Sequence, residues 1–162
     1  MPNWCKGNIR LRGKPEDIVA FLSNEIVCCT HTFDSFDITE HRVKCEYQND
    51  ECTISKPPEI GERGWFYIAG TKRNFIEQAE ICEFIEEPYP VCIDGFKAAW
   101  VVHPEPYIEK SKRYGIDIKI VTFERGMEFM QTVEVSRGKL ILNEEKNFDD
   151  WLWECPMPNM GG

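Results

Sequence analysis

The chain has 162 residues, 42% of them hydrophobic, and its five Trp, ten Phe and five Tyr supply enough apolar mass for a core without staples. Twenty-eight acidic against nineteen basic side chains leave a net charge of -9, which disfavours nucleic acid and anionic membranes and favours a partner with a basic surface. No apolar run approaches the ~20 residues that span a bilayer, and MPNWCKGN lacks the apolar stretch of a signal peptide, so the expected location is the cytoplasm.

Trp4 and Cys5 stand where termini are usually polar and loose, so the start of the chain is expected to dock onto the fold. Residues 7–12 alternate Ile9 and Leu11 with Arg10 and Arg12, the period of a half-buried strand that Gly13 ends. Pro15, Glu16 and Asp17 then suit a first helical turn, and Ile18, Phe21, Leu22 and Ile26 share one helical face. Residues 30–62 are less regular, with short candidate strands at 43–47 and 52–55 and a loop at Lys56-Pro57-Pro58-Glu59.

GWFYIAG, residues 64–70, reads as an aromatic strand, and residues 71–87 can be drawn as a helix. On its wheel Phe75, Ala79, Cys82 and Ile85 gather opposite Glu77, Glu80, Glu83 and Glu87, with Ile76, Phe84 and Glu86 breaking the pattern. Residues 96–102 form a strand, Pro104 and Pro106 open a helix to Tyr114, and Gly115 is placed to cap it. Ile116, Ile118 and Ile120 alternate into a strand. Arg125-Gly126 turns the chain into a return strand over 127–135, and Arg137-Gly138 turns it again into 139–142.

Eight cysteines, at 5, 28, 29, 45, 52, 82, 92 and 155, read as reduced, mostly buried packing residues. Cys28 and Cys29 with His31 form the one tight thiol and imidazole cluster, but paired zinc-ligand spacings are absent, so no metal or cofactor is expected. The phosphate-loop, dinucleotide, zinc-protease and nucleophile-elbow motifs are all missing, and His31, His41 and His103 have no nucleophile beside them, so the chain does not read as an enzyme.

Two strand and helix pairs feeding a meander predict one α+β domain over 1–162, a ferredoxin-like antiparallel sheet with helices packed on one face. MPNWC, GTKR at 70–73, AAW at 98–100 leading to a proline, and FERGMEF at 123–129 resemble the YubB-type family of phage and plasmid proteins. That resemblance implies the same ferredoxin-like fold and a mobile-element origin. Where the family reads roughly GTKWD and AWSPP, this chain has Gly70-Thr71-Lys72-Arg73-Asn74 and Ala99-Trp100-Val101-Val102-His103-Pro104.

Residues 77–94 hold six acids, Glu77, Glu80, Glu83, Glu86, Glu87 and Asp94, without a Lys or Arg among them. A single-sign face of this kind suits a partner-binding surface, and Trp151 and Trp153, set among Asp149, Asp150 and Glu154, would anchor it. The expected function is that of a phage or mobile-element accessory protein, monomeric or dimeric, in the host cytoplasm. It would inhibit a host protein by occupying a basic nucleic-acid groove, most concretely that of an RNA-guided nuclease in anti-CRISPR or other anti-defence activity. The alternatives are a small ligand-binding domain or enzyme, with Lys72 and Arg73 holding an anion near Trp100 and His103, and a structural phage protein.

Overall fold

A computed structural model describes residues 3–31 and 38–162. The expected irregular segment at 30–62 therefore lies partly outside the described residues, as does the side chain of His31.

The chain begins in β1 (Trp4–Arg12), whose residues alternate between a fully buried row, Cys5, Gly7, Ile9 and Leu11, and an outward row, Trp4, Lys6, Asn8, Arg10 and Arg12. The expected docking of the terminus is thus accomplished by pairing it as a strand. Helix α1 (Pro15–Glu25) buries Ile18, Phe21 and Leu22. Ile26 does not extend it but opens β2 (Ile26–His31), followed by β3 (Ile38–Arg42), β4 (Lys44–Gln48) and β5 (Glu51–Ser55).

After a short 3-10 turn come β6 (Trp65–Ile68), β7 (Asn74–Ile76), β8 (Ile81–Phe84) and β9 (Val91–Ala99). Helix α2 (Glu105–Tyr114) ends at Gly115, whose φ of 66° is the left-handed cap that glycine permits and whose N–H donates to Ser111 O. The chain closes with β10 (Asp117–Glu124), β11 (Phe129–Ser136), β12 (Lys139–Asn147) and the single turn α3 (Trp151–Glu154).

Nine strands form one antiparallel sheet in the order β12-β11-β10-β1-β9-β7-β6-β2-β3, and β4-β5-β8 form a second. This overturns the expected ferredoxin-like layer with helices on one face: the chain is mostly β, 48% strand against 18% helix. The physical reason lies in two stretches. The predicted helix over 71–87 is two strands, β7 in the large sheet and β8 in the small one, and β2 and β3 join the large sheet without having been expected, whereas β4 and β5 fall at the candidate strands 43–47 and 52–55.

Strand β7 is buried on both faces, so Asn74, Phe75 and Ile76 show no alternation, as expected of an internal strand. Ile76, one of the three residues that break the helical wheel, belongs to the main core. That core joins Ile9 and Leu11 of β1, Phe21 of α1, Ile54 of β5 and Tyr107 of α2, so both sheets and both long helices share one apolar interior.

The opposite face of the large sheet carries two smaller clusters. Cys29, Tyr67 and Phe75, with Trp4, Val27 and Ile38 packed against them, form one. Phe123, Phe148, Trp151 and Cys155 form the other, which covers the β10 side of the same face. No helix among the described residues is long and apolar enough to cross a membrane.

Candidate functional site

Side chains at directly opposed positions on neighbouring strands share a face of the sheet. The outward row of β1 therefore shares its face with Lys97 and Ala99 of β9, and the pairing of Tyr67 with Phe75 and of Phe75 with Lys97 carries that face across β7 to β6. There Trp4, Trp65, Arg73, Phe75 and Lys97 line a shallow groove of about 210 Å³.

Phe75 forms the floor. Its ring meets Trp4 edge-on at 5.9 Å between centroids and Tyr67 at 5.3 Å, distances at which aromatic quadrupoles attract. Beneath them Cys29 is fully buried, and its burial, with Cys28 beside it, pushes the thiol up to about 11. It is a protonated packing residue.

The walls are cationic. Lys97 Nζ lies 4.8 Å from the centre of the Trp4 ring and 5.9 Å from that of Phe75, and the Arg73 guanidinium carbon lies 5.4 Å from the Trp4 ring. Lys97 also forms an ion pair with Glu77. Two cations thus face one carboxylate, and Arg73 has no salt bridge among those of the described residues.

The turn that presents Arg73 is tightly held. Thr71 Oγ1 donates to Ile68 O at 2.6 Å, the Tyr67 hydroxyl donates to Thr71 O, Asn74 Nδ2 donates to Lys72 O at 3.0 Å, and the buried Tyr107 hydroxyl donates to Asn74 Oδ1 at 2.6 Å. Arg73 itself has φ of 55°, a left-handed conformation that costs a non-glycine residue about 1–3 kcal/mol and persists only when its surroundings hold it. The fold keeps that arginine out over Trp4 at an energetic cost.

Of the four residues expected to hold a ligand, only Arg73 lines this groove. Lys72 precedes it, exposed, in the same turn. Trp100, also left-handed at φ of 69°, is 57% exposed beyond the end of β9, and His103 is exposed before α2. Trp4, Trp65, Phe75 and Lys97 were not expected there. The signals were the two-residue spacing of Trp65 and Tyr67 and the lysine that interrupts an apolar run at 96–99.

The acidic residues do not share one helical face, because that helix does not exist. Glu77 pairs with Lys97, so its neutralising cation comes from a neighbouring strand. Glu80 lies exposed between β7 and β8, and Glu86 and Glu87 lie exposed in the turn before β9. Glu83 on β8 is half-buried; burial and then the nearby Asp94 carboxylate raise its carboxyl above the usual range.

At the other end, Trp151 is buried, its indole donates to Pro158 O at 2.8 Å, and it meets Phe148 edge-on. Trp153 is 87% exposed, with Leu152 exposed beside it. No cluster of three or more His, Cys, Asp and Glu side chains suited to a metal occurs among the described residues. Comparison with protein-family models, curated proteins and solved structures returns no match.

Proposed function

We propose that this protein is a binding module that captures a planar anionic ligand, of the nucleoside monophosphate class, in the groove on the outer face of its large sheet. The observation that carries the reading is the pairing of Arg73 and Lys97 with the rings of Trp4 and Phe75 in one groove. A planar ring system stacks on the exposed Trp65 indole beside the half-buried Trp4 while its acidic group meets the cations, whose attraction is strengthened at a half-desolvated aromatic surface. Nothing in this reading requires bond chemistry, and the protein acts as a binder, not an enzyme.

The test is isothermal titration with adenosine and uridine monophosphates. Binding that falls at least fivefold in Arg73→Ala, with the fold intact by circular dichroism, supports the reading. No heat of binding with either nucleotide at millimolar concentration removes it.

A second reading keeps the expected role of a mobile-element accessory protein acting in the host cytoplasm against a basic groove. It is favoured by the exposed Trp153 and Leu152, which stand beside Asp149, Asp150 and Glu154 in the manner of an aromatic anchor with an acidic rim. In a plasmid-interference assay with an RNA-guided nuclease, this reading predicts plasmid survival with the wild-type chain and loss of protection with Trp153→Ala. Full interference in the presence of the wild-type chain ends it for that target.

A further inference from the structure

We infer that the ligand of this face is a polynucleotide single strand, tracked along the outward row of β1, an inference that rests on the nucleotide-binding reading above. Trp4, Lys6, Asn8, Arg10 and Arg12 occupy alternate positions of one continuous strand and point away from the core. Their span is about 27 Å at ~3.4 Å per residue, the reach of a short single-strand site of ~4 nucleotides. Lys97 stands opposite Lys6, so the cations of the groove and those of β1 are continuous.

At the far end a second groove of about 240 Å³ is lined by Arg10, Arg12 and Lys119, by the carboxylates of Asp117 and Glu134, and by Pro88 and Pro90. Arg12 is bound to Asp117 at 2.9 Å and Lys119 to Glu134 at 3.1 Å, whereas Arg10, which donates to Asn8 Oδ1 at 3.2 Å and also meets the Cys92 thiol, and Lys6 form no salt bridge among the described residues. Aromatic stacking at one end and a line of cations leading from it are the two components by which single strands are held without sequence preference.

The lane has defined borders. On the β10 side Phe123, which pairs with Lys6, is covered by Phe148 and Trp151, and on the β9 side Asp94, opposite Asn8, presents a carboxylate. The overall charge of -9 opposes a polyanion at long range, so the attraction is confined to this row and the affinity is modest. Asp94 is the local brake, and Asp94→Asn is expected to tighten binding about threefold.

The experiment is fluorescence anisotropy of labelled ten-residue oligothymidylate and oligouridylate at several salt concentrations, beside titration with thymidine and uridine monophosphates. At least one oligomer is expected to bind tenfold or more tightly than its monophosphate, with a slope of log K against log salt of about -2 to -3, the value for three to four neutralised phosphates. The pair Lys6→Ala and Arg10→Ala should weaken the oligomer at least fivefold and leave the monophosphate unchanged. Preference for one oligomer distinguishes RNA from DNA. If neither oligomer is tighter than its monophosphate, or if the tighter binding is untouched by the double variant, the single-strand track is wrong while the monophosphate site stands. If nothing binds, both fall.

Discussion

Lys97 Nζ lies 4.8 Å from the centre of the Trp4 ring, and the same ammonium is ion-paired with Glu77. Three segments far apart in sequence therefore meet at one indole, and the carboxylate limits how strongly the cation can attract an anion. Glu77→Gln is expected to leave the fold unchanged and to tighten monophosphate binding about threefold, the range of a partly exposed ion pair. Glu144→Gln on β12 changes the net charge equally and should leave affinity unchanged; equal tightening by both variants would assign the effect to overall charge.

Gly7 lies where β1 pairs with both β9 and β10 and where the register with β9 shifts. A Cβ at this position would come within 1.8 Å of Val121 O, a backbone atom with no freedom to move aside. Gly7→Ala is expected to cost about 3 kcal/mol through overpacking of a central strand, measured as a lower urea midpoint. A midpoint unchanged within error would show that β1 does not sit between those strands.

The buried Glu25 carboxylate accepts hydrogen bonds from Lys110, from Arg113 at 2.8 Å and from the Tyr114 hydroxyl at 2.8 Å, and ties the end of α1 to α2. Burial alone would push its carboxyl up, but the bonds from Lys110 and Tyr114 and the charges of Lys110 and Arg113 outweigh it and hold the group below its ordinary 4.5. Its stabilising contribution is present above about pH 4.5 and is lost as the pH falls through the lowered folded value. Glu25→Gln strands the Lys110 charge in the interior and is expected to cost about 3–5 kcal/mol at pH 7. The double change Glu25→Leu with Lys110→Met should cost less, as read from urea midpoints.

Three buried thiols titrate in the opposite direction. Burial, followed by the charges of Glu124 and Glu145, pushes Cys5 up to about 12, burial with Cys45 nearby pushes Cys52 up to about 12, and Cys29 stands at about 11. Each folded value exceeds the ordinary 9.0, so this stabilisation is complete below pH 9 and is lost as the pH rises from there towards the folded values. In the presence of a reductant, the urea midpoint should fall more steeply between pH 8.5 and 10.5 for the wild type than for Cys5→Ala. Parallel pH profiles would show that the Cys5 thiol is not held in its neutral form.

Strands are legible in the sequence where apolar and polar residues alternate over several positions, and are lost where the strand is short or buried on both faces. The alternation of Ile9 and Leu11 with Arg10 and Arg12 reveals β1, and Pro104, Pro106 and Gly115 bracket α2 correctly because their backbone demands are local. Strand β7 carries no alternation because Phe75 and Ile76 are buried on opposite faces, and the run of apolar and acidic residues that follows it mimics a helical wheel. That misreading conceals the floor of the groove and, together with the unread β2 and β3, the breadth of the sheet. Arg73 is visible from its turn motif, whereas its association with Trp4, Trp65 and Lys97 depends on strand order, which no local pattern encodes.

Five indoles report on this chain at separate places: Trp4 and Trp65 in the groove, Trp100 beyond β9, Trp151 buried and Trp153 exposed at the far end. The most direct measurement is the two-dimensional ¹H–¹⁵N spectrum of the indole N–H groups, assigned by single Trp→Phe variants and followed during titration with uridine monophosphate. The account predicts saturable shifts of the Trp4 and Trp65 resonances, with Trp100, Trp151 and Trp153 still and with the shifts abolished in Arg73→Ala. Shifts confined to Trp100 or Trp153, or none at all at millimolar nucleotide, would contradict it.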